Sequence, residues 1–121
     1  MPAEFALRHE PQPNDRHVIA VAGEIDLYTA PDLKQTLTQV IEGGATGVVM
    51  DLSETTFLDS TGLGVLIGGL KRLRSREGAL AVVNVDESIA RTFEITGLDQ
   101  IFTIRSSRDE ALAALDADIP A

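Results

Sequence analysis

The stretch GVVMDLSETTFLDSTGLGVLIGGLKRLRSR, residues 47–76, decides the fold because it contains two different hydrophobic patterns in succession. Residues 47–52 are an apolar run bounded by turn-forming residues, which predicts a strand covered on both faces. From Ser60 to Arg76 the apolar residues recur at helical spacing, which predicts a helix. A buried strand followed by a helix is the repeating unit of α/β proteins, so this stretch indicates that class.

The chain before this stretch is predicted to begin with a β-hairpin. Residues 5–8 alternate weakly between apolar and polar, as an edge strand does, and residues 17–23 are typical of a second strand. Between them, residues 11–15 are dense in turn formers and are expected to reverse the chain. Residues 4–23 therefore predict an antiparallel pair of strands.

The remaining elements continue the alternation of strand and helix. A helix is predicted after a candidate N-cap at Thr29, with Pro31 near its first position and Gly43-Gly44 at its end. Beyond residue 76 the predicted elements are a strand at 79–85, a helix at 86–96 closed by Gly97, a strand at 101–104, and a helix capped by Ser106 or Ser107 that runs through Leu115. The order ββαβαβαβα predicts an α/β fold with a mixed, mostly parallel sheet that carries an antiparallel N-terminal hairpin, and it leaves the strand order open.

The length of the chain indicates how many domains it has, and its net charge limits the kinds of partner it binds. The chain has 121 residues and a mass of 12.9 kDa, which predicts a single domain over 1–121 with a core of about residues 4–116. The net charge of −9 argues against nucleic acid or an anionic membrane as a partner. Residues 1–60 hold three basic and ten acidic residues, so the acidic surface is expected mainly in the first half, as a solubilising coat or as a patch that faces a partner.

Several kinds of chemistry find no support in the sequence. The chain has no cysteine, which excludes disulfides and Cys-ligated zinc and is compatible with a cytoplasmic location. No hydrolase, phosphate-loop or zinc-protease motif is present, so catalysis, cofactors and metals are not expected. His9 and His17 flank the first turn without an obvious third ligand, so they are interpreted as exposed turn-flanking residues. Residues 1–8 lack an apolar signal-peptide core, and no run of 18 apolar residues predicts a membrane span.

The candidate functional site lies where the central strand is followed by a helix, at Asp59 and Ser60. Ligands of open α/β sheets usually bind at this type of junction. One interpretation is structural: one of the two short polar side chains caps the helix by accepting a backbone hydrogen bond. The other is functional: Ser60, on a surface turn, carries or receives a charge.

The helix that follows favours the functional interpretation. On a helical wheel its core stripe consists of Leu63, Leu66, Ile67, Leu70 and Leu73, and its opposite face carries Thr61, Gly64, Val65, Gly68 and Arg72. Each glycine inside a helix costs roughly 0.8–1 kcal/mol relative to alanine. Gly64 and Gly68 are predicted on the water-facing side of this helix, and Gly69 at the edge of that side. Such glycines are explained either by the close approach of another chain or by a neighbouring element of the same fold.

A phosphoryl group on Ser60 would change this surface strongly. It adds about −1.5 to −2 units of charge and three acceptor oxygens, and the N-terminus of a helix tolerates an anion. The carboxylates of Glu24, Asp26 and Asp59 are expected at the same edge of the sheet and would repel it. A partner fitted to the unmodified surface would meet both added bulk and added charge, which predicts an on/off switch that needs no refolding.

Three blocks of sequence carry a resemblance to a known family: residues 23–26, GEID; residues 57–64, FLDSTGLG; and residues 93–98, FEITGL. With these blocks the chain, over about residues 4–116, resembles the STAS domain of bacterial anti-sigma factor antagonists, the SpoIIAA/RsbV type. The block around Ser60 is specific when it lies at a strand-to-helix junction, and the other two are supportive.

The resemblance implies a partner switch. Unphosphorylated members of the family bind an anti-sigma factor that is also an ATP-dependent serine kinase, and so free the sigma factor. Phosphorylation of the motif serine, here Ser60, separates the complex, and a PP2C-type phosphatase restores binding. The nucleotide belongs to the kinase, so the resemblance implies no cofactor and no enzymatic activity for this chain. The implied partner-binding residues are Asp26, Asp59, Ser60, Thr61, Gly62, Gly64, Val65 and Gly68, where Thr61 occupies a family position that is Ser or Thr.

Two other functions share the same fold and motif. One is a STAS interaction module or scaffold in a bacterial signalling pathway without a sigma factor. The other is a regulatory STAS domain of an anion transporter, which is disfavoured because the chain is expected to be a free-standing domain without a membrane segment.

Overall fold

The structure is a computed structural model that describes the backbone of residues 4–118 and the side chains of residues 4–116. The predicted domain, 1–121, extends beyond these residues at both ends. The elements are β1 (Ala6–Gln12), β2 (Arg16–Ile25), α1 (Ala30–Glu42), β3 (Gly47–Leu58), α2 (Ser60–Ser75), β4 (Ala79–Val83), α3 (Glu87–Ile95), a 3-10 turn (Leu98–Gln100), β5 (Thr103–Arg105) and α4 (Arg108–Asp118).

The five strands form one sheet in the order β1-β2-β3-β4-β5. β1 and β2 are antiparallel, and the other neighbours are parallel. This confirms the predicted α/β class, the mixed sheet and the N-terminal hairpin. It also supplies the strand order: every strand lies beside its neighbour in sequence, which is typical of parallel strands joined by single crossover helices.

Alternation along the central strands divides the core into two clusters. Val48, Met50 and Leu52 belong to the larger cluster, with residues of α1, α2 and α3, whereas Val49 belongs to a smaller cluster with Ala111 and Leu115 of α4. Because successive side chains of a strand point to opposite faces, the first three helices cover one face and α4 covers the other. The sheet is therefore buried on both sides at its centre, as the apolar run at 47–52 predicts.

Several element boundaries differ from those predicted. β3 continues to Leu58 because it pairs with β2 along its whole length, and buried Thr55 donates its hydroxyl to the Val21 carbonyl at 2.8 Å. Residues 11 and 12 belong to β1, and the turn is confined to residues 13–15, where Asn14 and Asp15 have positive φ angles. β5 starts at Thr103, because a 3-10 turn occupies the chain just before it.

An ion-pair network joins α4 to the sheet. The Arg108 Nε atom lies 2.6 Å from the carboxylate of Asp51, a residue of β3 that is 5% exposed, and Arg108 Nη1 lies 2.9 Å from Glu10 of β1. Burial opposes ionisation of Asp51, but hydrogen bonds from Arg108 and Ser53 outweigh it and hold the pKa of Asp51 below its ordinary value. The network therefore allows a carboxylate to remain charged beneath α4.

No helix within residues 4–118 is long and apolar enough to cross a membrane.

Replacing Arg108 should destabilise the fold in a pH-dependent way. Arg108→Met leaves the Asp51 carboxylate buried without its cation, and we expect a loss of about 1–2 kcal/mol at pH 7, less than for a fully buried pair because Arg108 is partly exposed. The pKa of Asp51 is lowered by folding, so its stabilising contribution is present above about pH 4 and disappears as the pH falls through the lowered pKa. Urea denaturation at several pH values measures the difference.

Arg91→Met is the matched control, because Arg91 is exposed on α3 and forms no ion pair within the described side chains. A difference between wild type and Arg108→Met that does not shrink in acid would contradict the assignment to Asp51.

Candidate functional site

The candidate site lies at the carboxyl ends of β2 and β3. Ile25 and Leu58, the last residues of the two strands, are paired in register, so Asp26 and Asp59 follow at equivalent positions of adjacent parallel strands. The Asp59 N–H also donates to the Ile25 carbonyl at 3.2 Å. Neighbouring strands are about 5 Å apart, so the structure brings the two predicted aspartates to the same edge of the sheet.

Asp59 is the residue that caps α2. Its carboxylate accepts hydrogen bonds from the backbone N–H groups of Thr61, at 2.9 Å, and Gly62, at 3.1 Å. Ser60 is the first helical residue; it is exposed, and its hydroxyl makes no hydrogen bond within the described part of the chain. The structure confirms that one residue of the pair caps the helix and identifies it as Asp59; the Ser60 hydroxyl is left exposed to solvent, and its modification stays a prediction.

Asp26 orders the loop between β2 and α1. Its carboxylate accepts from the N–H groups of Tyr28, at 2.9 Å, and Thr29, at 3.1 Å. The Thr29 hydroxyl accepts from Asp26 N–H, at 2.9 Å, and donates to the Glu24 carbonyl, at 2.8 Å. Thr29 is the N-cap residue of α1, as predicted, but its side chain makes no capping hydrogen bond because the hydroxyl is turned back into this loop.

The glycines of α2 fall into two groups. A Cβ atom on Gly62 would lie 2.6 Å from side-chain atoms of Ile25 and Leu58, and one on Gly69 would lie 2.5 Å from Leu37 of α1. Gly64 and Gly68 are exposed, and a Cβ atom on either would meet nothing within 4 Å. Packing within the fold therefore explains Gly62 and Gly69, and it leaves Gly64 and Gly68 unexplained.

Gly62, which the resemblance implies as a partner-binding residue, is buried beneath the start of α2, against β2 and the end of β3, so it is not exposed to a partner as its neighbours on α2 are. The other predicted surface residues of α2 lie as expected: Thr61, Gly64 and Gly68 are exposed and Val65 is half-buried.

Sequence reasoning missed a set of exposed apolar side chains at the carboxyl ends of β2 and β3. Leu27 is 64% exposed and Tyr28 86% exposed in the β2–α1 loop, and Phe57, near the end of β3, is 47% exposed. A signal was available: two large apolar residues, Leu27 and Tyr28, stand between Asp26 and Thr29 in a loop at the end of a parallel strand. Exposed apolar side chains grouped at one edge mark an interaction site.

The described side chains provide no cluster of three or more His, Asp or Glu residues that fits a metal ion. His9 and His17, on the paired strands β1 and β2, are bonded to each other, Nε2 to Nδ1, at 2.7 Å. Burial and the nearby charge of His9 lower the pKa of His17, against a weaker opposite effect of Asp15. The arrangement at the α2 junction offers an exposed hydroxyl at Ser60, a carboxylate at Asp59 that is held by hydrogen bonds, and exposed apolar side chains at the ends of β2 and β3.

Comparison with known proteins agrees with this geometry. Residues 8–111 match the STAS domain family. The chain belongs to the STAS domain family. The anti-sigma-B factor antagonist of Listeria monocytogenes is 46% identical to it over 94 residues, which are 76% of this chain and 81% of the relative. The resemblance expected from the three sequence blocks is thereby confirmed.

Solved structures share the fold of this STAS domain. A crystal structure of an anti-sigma factor antagonist from Mycobacterium paratuberculosis is 32% identical, with a TM-score of 0.87 over 96% of this chain and 99% of that one. The unphosphorylated form of the anti-sigma factor antagonist SpoIIAA has a TM-score of 0.79 over 93% of this chain and 97% of that one, at 22% identity.

Replacing either of two adjacent glycines of this STAS domain by alanine should change the stability in opposite directions. In Gly68→Ala the new methyl group meets open space, so we expect a gain of up to about 1 kcal/mol from helix propensity. In Gly69→Ala the methyl group collides with Leu37, and we expect a loss of about 1–3 kcal/mol from overpacking. Denaturant unfolding of both variants tests the division of the glycines, and a destabilised Gly68→Ala would contradict it.

Proposed function

We propose that this chain is an anti-sigma factor antagonist controlled by phosphorylation of Ser60. Its unphosphorylated form binds an anti-sigma factor that is also a serine kinase and so releases the sigma factor. The kinase phosphorylates Ser60 and binding ends, and a PP2C-type phosphatase restores it. The observation that carries the proposal is the Ser60 hydroxyl, which is exposed and unbonded at the first position of α2 while Asp59 caps the helix.

The geometry supports repulsion as the switching force. Helix N-termini can stabilise a phosphate through free N–H groups, but here the N–H groups of Thr61 and Gly62 already donate to Asp59. A phosphate on Ser60 would stand beside the Asp59 carboxylate without these donors, and it would face a partner instead. Like charges brought together in an interface cost several kcal/mol, which is enough to separate a complex.

The surroundings of Ser60 support docking of a protein. Leu27, Tyr28 and Phe57 offer exposed apolar area, and Gly64 and Gly68 allow another chain to approach the backbone of α2. A partner bound over this surface covers Ser60, so one hydroxyl is both part of the interface and the site of modification.

The relatives support the biological assignment. The chain shares 46% and 35% identity with proteins named anti-sigma-B factor antagonist from Listeria monocytogenes and Staphylococcus aureus, over three quarters of its length. The proposal gives this chain the role of a substrate of a kinase and a phosphatase and not that of an enzyme. The nucleotide is bound by the kinase, and the phosphorylation and dephosphorylation of this chain take place in the cytoplasm, where ATP is available.

Ser60 should be the single residue that the kinase modifies. With the anti-sigma factor kinase of the source organism and ATP, we expect one phosphate on the wild type and on Thr61→Ala, and none on Ser60→Ala. Thr61 is the matched control because it is the adjacent exposed hydroxyl. Intact-mass and peptide mass spectrometry measure the outcome. A phosphate on Thr61 would overturn the site, and isolation of a partner of another class would favour a STAS scaffold without a sigma factor.

A negative charge at position 60 should weaken binding of the kinase. We expect Ser60→Glu to reduce affinity at least about tenfold, or roughly 1.4 kcal/mol, because the carboxylate is placed beside Asp59 and into the interface. Calorimetric titration of the kinase measures the change. Gln39→Glu, on an exposed position of α1, adds the same charge elsewhere and should leave affinity within about twofold. Equal affinities of the two variants would refute the repulsion mechanism.

A further inference from the structure

An open groove runs between α1 and α2 on the side of the molecule that carries Ser60. Its volume is about 540 Å³, and it reaches from Thr61, beside Ser60, to Arg72 near the end of α2. Its apolar lining includes Leu37 and Ile41 of α1 and Val65 of α2. The groove therefore continues the candidate site along the helix pair.

Two cations line this groove in a chain whose net charge is −9. Lys34 is exposed on α1, and Arg72 is held across the groove by a 2.8 Å hydrogen bond from Nη1 to the Thr38 hydroxyl. Among the side chains of residues 4–116, no carboxylate forms a salt bridge with either of them, and no Asp or Glu lines the groove. An apolar channel with unpaired positive charge fits an anionic amphipathic ligand.

We propose that the groove binds an acidic amphipathic segment of the kinase, with its apolar side on Leu27 and Val65, which line the groove and are accessible, and its carboxylates at Lys34 and Arg72. This inference rests on the proposed function and names the chemistry of the partner. The surface is then bipolar: its Ser60 end, with Asp26 and Asp59, is acidic, and its groove end is basic. Complementary charges on the partner fix the direction in which it docks.

A protein segment fits the groove better than a small anionic amphiphile. The groove is partly open to solvent and does not enclose a ligand, whereas pockets for small molecules bury most of the ligand surface. Above Gly64 and Gly68 there is free space, which allows a second backbone to lie close to α2. The groove also begins at Thr61, so one partner reaches both the groove and Ser60.

Charge reversal at Lys34 tests the inference with the kinase that phosphorylates Ser60 as the probe. We expect Lys34→Glu to weaken binding of unphosphorylated protein at least about tenfold, and Lys34→Arg to retain affinity within about twofold. Arg91→Glu is the matched control: Arg91 is exposed on α3 and lies outside the groove, so the same change in net charge should alter affinity less than about twofold. Arg72→Glu, checked by thermal unfolding, is the second groove variant.

The outcomes separate the two proposals. If the kinase modifies Ser60 but Lys34→Glu and Arg91→Glu bind equally well, the groove inference fails and the proposed function stands. If no kinase modifies Ser60, the proposed function fails first. If dodecanoate binds the groove of the wild type but not of Lys34→Glu, and the kinase binds both equally, the ligand is a small amphiphile and the inference is overturned.

Discussion

The hydrogen bonds of the Asp59 carboxylate determine what the rest of the site can do. By accepting from Thr61 and Gly62, Asp59 stabilises the start of α2, and its own N–H ties this junction to the end of β2 at Ile25. A cap of this kind is worth about 1 kcal/mol. Its larger consequence is chemical: because Asp59 caps the helix, the Ser60 hydroxyl is left without a hydrogen bond at the first position of α2.

The two faces of the sheet are covered by different kinds of interaction. On one face, Arg108 of α4 keeps the buried carboxylate of Asp51 charged and links it to Glu10 of the edge strand, which secures the last helix. On the other face, α1 and α2 pack closely because Gly69 leaves room for Leu37. This contact sets the spacing of the two helices, and both residues line the groove that lies between them.

Much of this architecture was predictable from local sequence. The apolar run at 47–52, the helical pattern after Ser60 and the turn formers at 11–15 all depend on neighbours in the chain, so they predicted the class, the core stripe of α2 and the hairpin. The misassigned details depend on contacts between distant residues. Gly62 is buried because of Ile25, 37 positions earlier by residue number, and β3 extends to Leu58 because Thr55 bonds to Val21. Gly62 was implied as a partner-binding residue by its place in the motif, and the motif carries no information about how closely β2 approaches.

The proposed switch at Ser60 needs no rearrangement of the backbone, because hydrogen bonds already hold the surrounding segments. Asp26 and Thr29 hold the adjoining loop through four hydrogen bonds with Tyr28, Glu24 and each other, and Asp59 holds the helix start. Under the proposed function, a charge added at Ser60 would therefore meet an ordered backbone and act directly on the partner that covers this surface. Attachment in the α1–α2 groove would raise the affinity before modification, and repulsion at the Ser60 end would have to outweigh that attachment for the complex to separate.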